Sequence, residues 1–334
     1  MSRSLIVLPD DTARPLLDAI EAASSSLCIK MFLFTAPTLI TAVSAARSRG
    51  VRVRVLLNPA RRAGGALNLY AREALVNAGV EVRDGNPAFA VTHEKSMVVD
   101  ARVAYVKSLN WSTTGLAQAR DYAVRTTDEA DVAEVMDCFE ADWSHRTFDA
   151  GAEARLIWCP GNGRERIARI IDEARHDLWV QNERYQDPVI VERLVRAHLR
   201  GVKVRVMAPP PHTLKPRKLG EGVGGLRIMA DVGIAVHKLK RLKLHAKVML
   251  ADGRRGIVGS INLAPGSFDT RRDLAIELLG GDAVERLHAV VRRDWKHSHR
   301  LDLTDAGILA DLTDHDRAGA ESLALEHAPR RRPA

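Results

Sequence analysis

Cysteine is scarce in this sequence. Cys28, Cys138 and Cys159 are spread over 334 residues, and no two form a CxxC pair. Spacing of that kind speaks against a disulfide framework and fits a reducing compartment. Aromatic residues make up only 4% of the chain, so rings for stacking single-stranded bases are few. No run of 18 apolar residues exists, which excludes a transmembrane helix read from hydropathy. The start of the chain lacks a secretory pattern: Arg3 precedes a short apolar run, Leu5–Leu8, followed by Asp10 and Asp11. The expected location is cytoplasmic, with peripheral contact at a membrane. No carboxylate cluster or Cys/His set has metal-ligand spacing. His297 and His299 resemble a metal pair but have no partner nearby, so neither a metal nor a cofactor is expected.

Basic charge is present in excess. The formal net charge is +8 and the sequence pI about 9.6. Such a chain favours polyanionic partners, whether phospholipid surfaces, phosphorylated small molecules or nucleic acid. No obligate protein partner is implied. The run His237-Lys-Leu-Lys-Arg-Leu-Lys-Leu244 concentrates this charge and reads as an edge strand with an exposed basic rim.

The chain repeats itself. Leu5-Ile-Val-Leu-Pro9 matches Leu156-Ile-Trp-Cys-Pro160, and Arg49-Gly-Val-Arg-Val-Arg-Val55 matches Arg200-Gly-Val-Lys-Val-Arg-Val206, both at a shift of 151. His93-Glu-Lys95 matches His245-Ala-Lys247, and Asp142-Trp143 matches Asp294-Trp295, at a shift of 152. Matches in order at a near-constant offset divide the chain into residues 1–150, residues 151–300 and a tail, 301–334, read as peripheral helix and disorder.

Each copy alternates strand and helix. In the first, strands are expected at Leu5–Leu8, Leu27–Phe34, Val51–Leu57, Ala88–Val99 and Val103–Lys107. Helices are expected at Ala13–Ala23, Pro37–Ser48, Ala71–Ala78 and Glu129–Trp143. The second copy repeats the order, which predicts layered α/β domains. Two loops, 58–68 and 208–225, follow the same strand in their copies. Both should line one edge of the sheet, where α/β proteins bind ligands. The glycines at 220, 222, 224 and 225 suggest a flexible lid.

The chemistry sits in a repeated motif. His93-x-Lys95-x-x-x-x-Asp100 is followed by Ser108-x-Asn110. His245-x-Lys247-x-x-x-x-Asp252 is followed by Ser260-x-Asn262. From the counts of His, Lys and Asp, HxKxxxxD should occur by chance roughly 0.03 times in a chain like this, so two copies at the repeat offset point to function. On a strand, His and Lys two residues apart share a face, so each copy would present an imidazole beside an ammonium.

These motifs resemble those of the phospholipase D superfamily, HxKxxxxD followed by GSxN, twice per active unit. The resemblance covers about residues 1–300. It implies two tandem α/β/α sandwich domains related by a pseudo-twofold, with one active site at their interface. It also implies a metal-independent phosphodiesterase or phosphatidyltransferase working through a covalent phosphohistidine. One histidine would attack phosphorus and the other protonate the leaving oxygen. Lys95, Lys247, Asn110 and Asn262, with Ser108 and Ser260, would hold the phosphate. Asp121 and Asp273, each 28 residues after its copy's histidine, would orient the imidazoles. Glu277 is a weaker candidate for that role. Asp100 and Asp252 would be structural. The residues do not distinguish the two histidines; some family members attack with the N-terminal one, which points to His93 as nucleophile and His245 as acid. Lys107 stands where the family has Gly, and would either add charge near the phosphate or point to solvent.

Substrate classes compete. Leu242 to Lys247 and Gly259 to Ser267 resemble the C-terminal motif of cardiolipin synthase-like proteins, which implies an anionic phospholipid undergoing head-group hydrolysis or transfer. Ser108-Leu-Asn-Trp-Ser112 is similar to the motif of the superfamily's nucleases, which implies DNA or RNA phosphodiesters as the alternative. A catalytically dead binding module conflicts with two intact motifs.

Overall fold

The computed structural model describes residues 2–59, 65–151, 153–214 and 219–326, with side chains as far as His315. The first half runs β1 (Arg3–Leu8), α1 (Arg14–Glu21), β2 (Ser26–Met31), α2 (Pro37–Ser48), β3 (Arg52–Leu57), α3 (Leu69–Asn77), β4 (Glu81–Asp84), β5 (Val91–Thr92), β6 (Ser96–Val99), β7 (Val103–Lys107), α4 (Thr113–Gln118), β8 (Ala119–Thr126) and α5 (Glu129–Trp143). The second runs β9 (Ile157–Cys159), α6 (Gly163–Glu173), β10 (Asp177–Gln181), α7 (Pro188–Leu199), β11 (Lys203–Met207), α8 (Leu219–Asp231), β12 (Ala235–Leu239), β13 (Lys243–Leu244), β14 (Val248–Ala251), β15 (Arg255–Gly259), α9 (Pro265–Asp269), β16 (Arg271–Leu279) and α10 (Gly281–Lys296). β17 (Ser298–Arg300) and α11 (Asp305–Glu326) follow.

Local chemistry sets these bounds. Pro37 and Pro188 sit in the first turns of α2 and α7, where the missing N–H has no helical partner to lose. The Asp187 carboxylate accepts from the Ile190 N–H and caps α7. α2 and α7 then end in Gly50 and Gly201, whose φ values of +93° and +94° suit glycine.

The first sheet is ordered β1-β8-β7-β6-β2-β3-β4 and the second β17-β12-β11-β10-β14-β15-β16, with β9 on β16. Alternation along the inner strands sends side chains to the core on either face of each sheet. Ile6 and Leu8 of β1 pack under α1 and α2, while Leu5 and Val7 face the opposite side. There they meet Val135 and Phe139 of α5, Leu287 and Val291 of α10, and Leu274 and Ile276 of the other half's β16. α5 and α10 are therefore a shared central layer. The fold is two tandem α/β/α sandwiches about a pseudo-twofold, as expected.

The halves also trade strands. β5 leaves the first sheet to pair in parallel with β16, Val91 opposite Arg271 and Thr92 opposite Arg272. β13 reciprocates on β8, Lys243 opposite Ala119 and Leu244 opposite Arg120. This corrects the continuous strand expected over Ala88–Val99. Residues 93–95 bridge two sheets, and the N–H groups of His93 and Glu94 both donate to the Arg272 carbonyl.

Other expectations change as well. The glycine-rich stretch is the start of α8, not a flexible lid. A Cβ on Gly225 would fall 1.9 Å from the Tyr185 carbonyl oxygen, so glycine there permits helix and loop to touch. β12 is an interior strand, and Ser298–Arg300 forms the edge beyond it. Residues 60–64 and 215–218 of the two loops, and the arginines of the tail, lie outside the described residues.

Candidate active site

The strand exchange decides where the motif residues go. Because β5 and β13 cross between halves, His93 and His245 arrive at the seam from opposite sides, each beside the other half's sheet. The aspartate partners are consequently swapped. His93 Nδ1 lies 2.8 Å from Asp273 Oδ1, and His245 Nδ1 lies 2.9 Å from Asp121 Oδ2. Equal spacing of 28 residues located both aspartates, but their true partners are the histidines of the opposite copy. Glu277 pairs with Arg166 and Arg255 instead.

Ser108 and Ser260 depart from the phosphate-holding role expected of them. Both are fully buried, and their hydroxyls donate to Asp121 Oδ1 at 2.5 Å and Asp273 Oδ1 at 2.6 Å. Each half thus supplies a Ser–Asp pair that completes a relay through Nδ1 of the other half's histidine. Asp273 is ionised at neutral pH: burial works against its charge, but His93, Lys95 and the Ser260 hydroxyl outweigh it. Asn110 Nδ2 is 3.4 Å from His245 Nε2, and Oδ1 of both Asn110 and Asn262 is without a partner among the described residues.

The lysines close the centre. Lys95 Nζ donates to the His93 carbonyl at 2.6 Å and Lys247 Nζ to the His245 carbonyl at 2.5 Å. Lys95 is brought down to about 7 by burial first and by Lys247 second. His93, buried and beside Lys95, is brought down to about 4 and is a neutral imidazole at physiological pH.

Asp100 and Asp252 hold backbone. Each has φ of 53° and turns its carboxylate onto backbone N–H groups, of Ser24, Ser25 and Ser26 or of Arg175, His176 and Asp177. Lys107 does not face solvent. It is fully buried with Nζ 4.4 Å from the Trp111 ring centroid; that Nζ makes no hydrogen bond among the described residues and is driven well below its ordinary value by burial. In the second copy, a Cβ on Gly259 would meet the Leu274 carbonyl oxygen at 2.3 Å, so only that copy needs the glycine.

Two features escaped the sequence reading. Glu94, inside the motif, points away from the site to Lys30 at 2.7 Å; Lys30 also reaches Asp142 at 2.8 Å, and Arg272 reaches Asp142 at 3.1 Å. Glu94, Cys138 and Asp142 are a ligand-type trio among the described residues, and the Lys30 ammonium already stands between them. The other is Glu183, which places Oε2 2.5 Å from Lys247 Nζ and 3.7 Å from His245 Nε2. At the repeat shift of 151 its counterpart is Phe32. That ring lies 4.9 Å from the His93 ring and 5.1 Å from Lys95 Nζ. The signal was a mismatch between copies, whereas the search was for matches.

A groove of about 580 Å³ opens on the His245 side. Glu183 and His245 lie along it with Arg184, Lys240, Arg241 and Lys243. Farther out, Lys238 and His212 are tied to Asp311 of α11 at 2.9 Å each.

Comparison with known proteins fits this arrangement. A family model described as cardiolipin synthase, PLD-like domain, matches residues 16–143 and again 167–295. The chain belongs to this family. Human mitochondrial cardiolipin hydrolase is 37% identical over 129 residues, 38% of this chain and 49% of that protein. The chain thus spans about half the length of that relative. Cardiolipin synthase B of Escherichia coli is 26% identical over 292 residues, 74% of this chain and 69% of that protein. Among solved structures, phosphatidylserine synthase of Haemophilus influenzae aligns with a TM-score of 0.70 at 12% identity, covering 96% of this chain and 94% of its own. Polyphosphate kinase of Porphyromonas gingivalis aligns at 0.71 and 17%, covering 90% and 49%. At those identities the likeness is one of fold. Among the described residues, no helix is long and apolar enough to cross a membrane.

Proposed function

We propose that the protein hydrolyses or transfers the head groups of anionic phospholipids through a phosphohistidine on His93, in peripheral contact with the lipid surface. One observation carries the reading: two relay-braced imidazoles share one centre but have opposite surroundings. His93 is neutral, buried and backed by Phe32; His245 is open to the groove and faces the Glu183 carboxylate.

The roles follow from those surroundings. His93 Nε2 supplies its lone pair to phosphorus, and the bond from phosphorus to the leaving oxygen breaks. Protonated His245 gives its Nε2 proton to that oxygen. A water or alcohol then loses its proton to His245, attacks phosphorus and displaces His93. Asp273 and Asp121 fix each ring by holding Nδ1–H. The two lysines and the Asn110 and Asn262 amides stabilise the charge on the non-bridging oxygens. These groups provide nucleophile, acid and countercharge without a metal. The names of the cardiolipin hydrolase and cardiolipin synthase relatives support a phospholipid as substrate.

The basic wall of the groove also suits a nucleic-acid backbone, so a second reading is a metal-independent endonuclease. That groove has no Phe, Tyr or Trp among its described lining residues on which a base could stack. The test is turnover in EDTA of phosphatidylglycerol vesicles and, separately, of single- and double-stranded DNA and RNA, with His93→Ala as control. Head-group release or transfer that disappears in the variant supports the first reading. Cleaved nucleic acid beside intact vesicles replaces it with the second, and activity that survives the substitution sinks both.

A further inference from the structure

The two halves match closely around the reacting centre. Each supplies a Ser–Asp pair to the other half's histidine, a lysine bonded to the carbonyl of its own motif histidine, and an asparagine just past the neighbouring strand. Beside the imidazoles they part where Phe32 packs on His93 and Glu183 reaches Lys247. A carboxylate is an odd group to place in a phosphate cradle, because it repels the non-bridging oxygens. Its charge is nevertheless secure. Burial opposes it, yet the positive charge of His245 and Lys247, with the Lys247 hydrogen bond, holds the group well below the usual carboxylate range.

What Glu183 can do follows from where it stands. It lies on the groove side of the centre, beside the histidine that hands a proton to the departing alcohol and takes one from the arriving alcohol. An ionised carboxylate only accepts hydrogen bonds. In that position it can take one from an alcohol with a second hydroxyl to offer. The surrounding groove narrows the choice: Lys240, Arg241 and Lys243 make no ion pair with a described carboxylate and disfavour a cationic alcohol. We infer that Glu183 selects the alcohol exchanged at phosphorus, favouring a neutral or anionic polyol over a monohydric alcohol.

In the step concerned, one polyol hydroxyl loses its proton to His245 Nε2 and bonds to phosphorus while the phosphorus–His93 bond breaks. A second hydroxyl of the same molecule donates to Glu183. The inference rests on the phosphatidyl-transfer reading above. Its test is competition: phosphatidylglycerol vesicles with equal concentrations of deuterated glycerol and 1-propanol, read as the ratio of deuterated phosphatidylglycerol to phosphatidylpropanol. The ratio does not depend on how much protein is folded or active. The intact protein should favour glycerol, and Glu183→Ala should cut that preference about tenfold or more, the size expected for a hydrogen bond to a charged acceptor. Glu183→Gln, keeping an acceptor without the charge, should fall between. Equal use of both alcohols by the intact protein, an unchanged preference in Glu183→Ala, or phosphatidic acid as the sole product overturns the inference and leaves the lipid reading standing. Vesicles untouched by the intact protein overturn the lipid reading itself.

Discussion

At the residue scale, the roles of the two histidines should separate kinetically. A p-nitrophenyl phosphodiester has a leaving group that needs no proton. The burst of p-nitrophenol should therefore survive Asp121→Asn, which disturbs His245, and fall at least tenfold in Asp273→Asn, which disturbs His93. Equal losses would contradict the assignment. His93 is brought to about 4, below its ordinary 6.5, so it stays a free nucleophile until pH falls through about 4. The acid limb of the burst rate should lie near there. Folding works in the same direction: between 6.5 and about 4 the unfolded chain takes up a proton that native His93 refuses, so stability declines as pH falls. An acid limb near 6.5 would contradict the burial argument. Lys95, at about 7, is partly neutral at pH 8, and an anion beside it restores its charge. Inorganic phosphate should therefore bind at pH 8 with net proton uptake, read by calorimetry in buffers of different ionisation enthalpy. Both histidines, both lysines and both orienting aspartates were legible because the motif repeats. Glu183 and Glu94 were not, since one is marked by a difference between copies and the other sits at an unconstrained motif position.

At the element scale, the strands most relevant to the site were the hardest to read. β8 and β16 carry Arg120-Asp121 and Arg272-Asp273, buried charges that break the apolar pattern of a core strand. Each charge is answered across the seam. Arg120 reaches Asp294 at 2.8 Å, and Arg272 reaches Asp142 at 3.1 Å. Tertiary partners supply the reason for such residues, and one strand's sequence does not contain them. Lys30 should be structural by the same logic. Its loss leaves buried Glu94 without a cation and Asp142 with Arg272 alone, so Lys30→Ala should cost about 3–5 kcal/mol in denaturant unfolding. Lys107 is the opposite case, a buried amine whose Nζ has no hydrogen-bond partner among the described residues. Lys107→Met should stabilise by about 1–3 kcal/mol. A destabilised Lys107→Met would reveal a role the geometry does not explain.

At the scale of the whole molecule, the repeat gave the two-sandwich architecture but hid the exchange between halves. Spacing within a copy says which residues correspond, and only the crossing of β5 and β13 says which of them meet. One consequence is that neither half holds a complete relay: His93 depends on Asp273, and His245 on Asp121. The central claim is that His93 carries the phosphoryl group, and the direct measurement is to trap it. His245→Ala, unable to activate water, would be mixed with a p-nitrophenyl phosphodiester, quenched in base, digested and mapped by mass spectrometry. The account predicts a phosphoramidate adduct on His93 alone, with the mass of the diester less its p-nitrophenol. An adduct elsewhere, or p-nitrophenol released in a burst without any adduct, would contradict it.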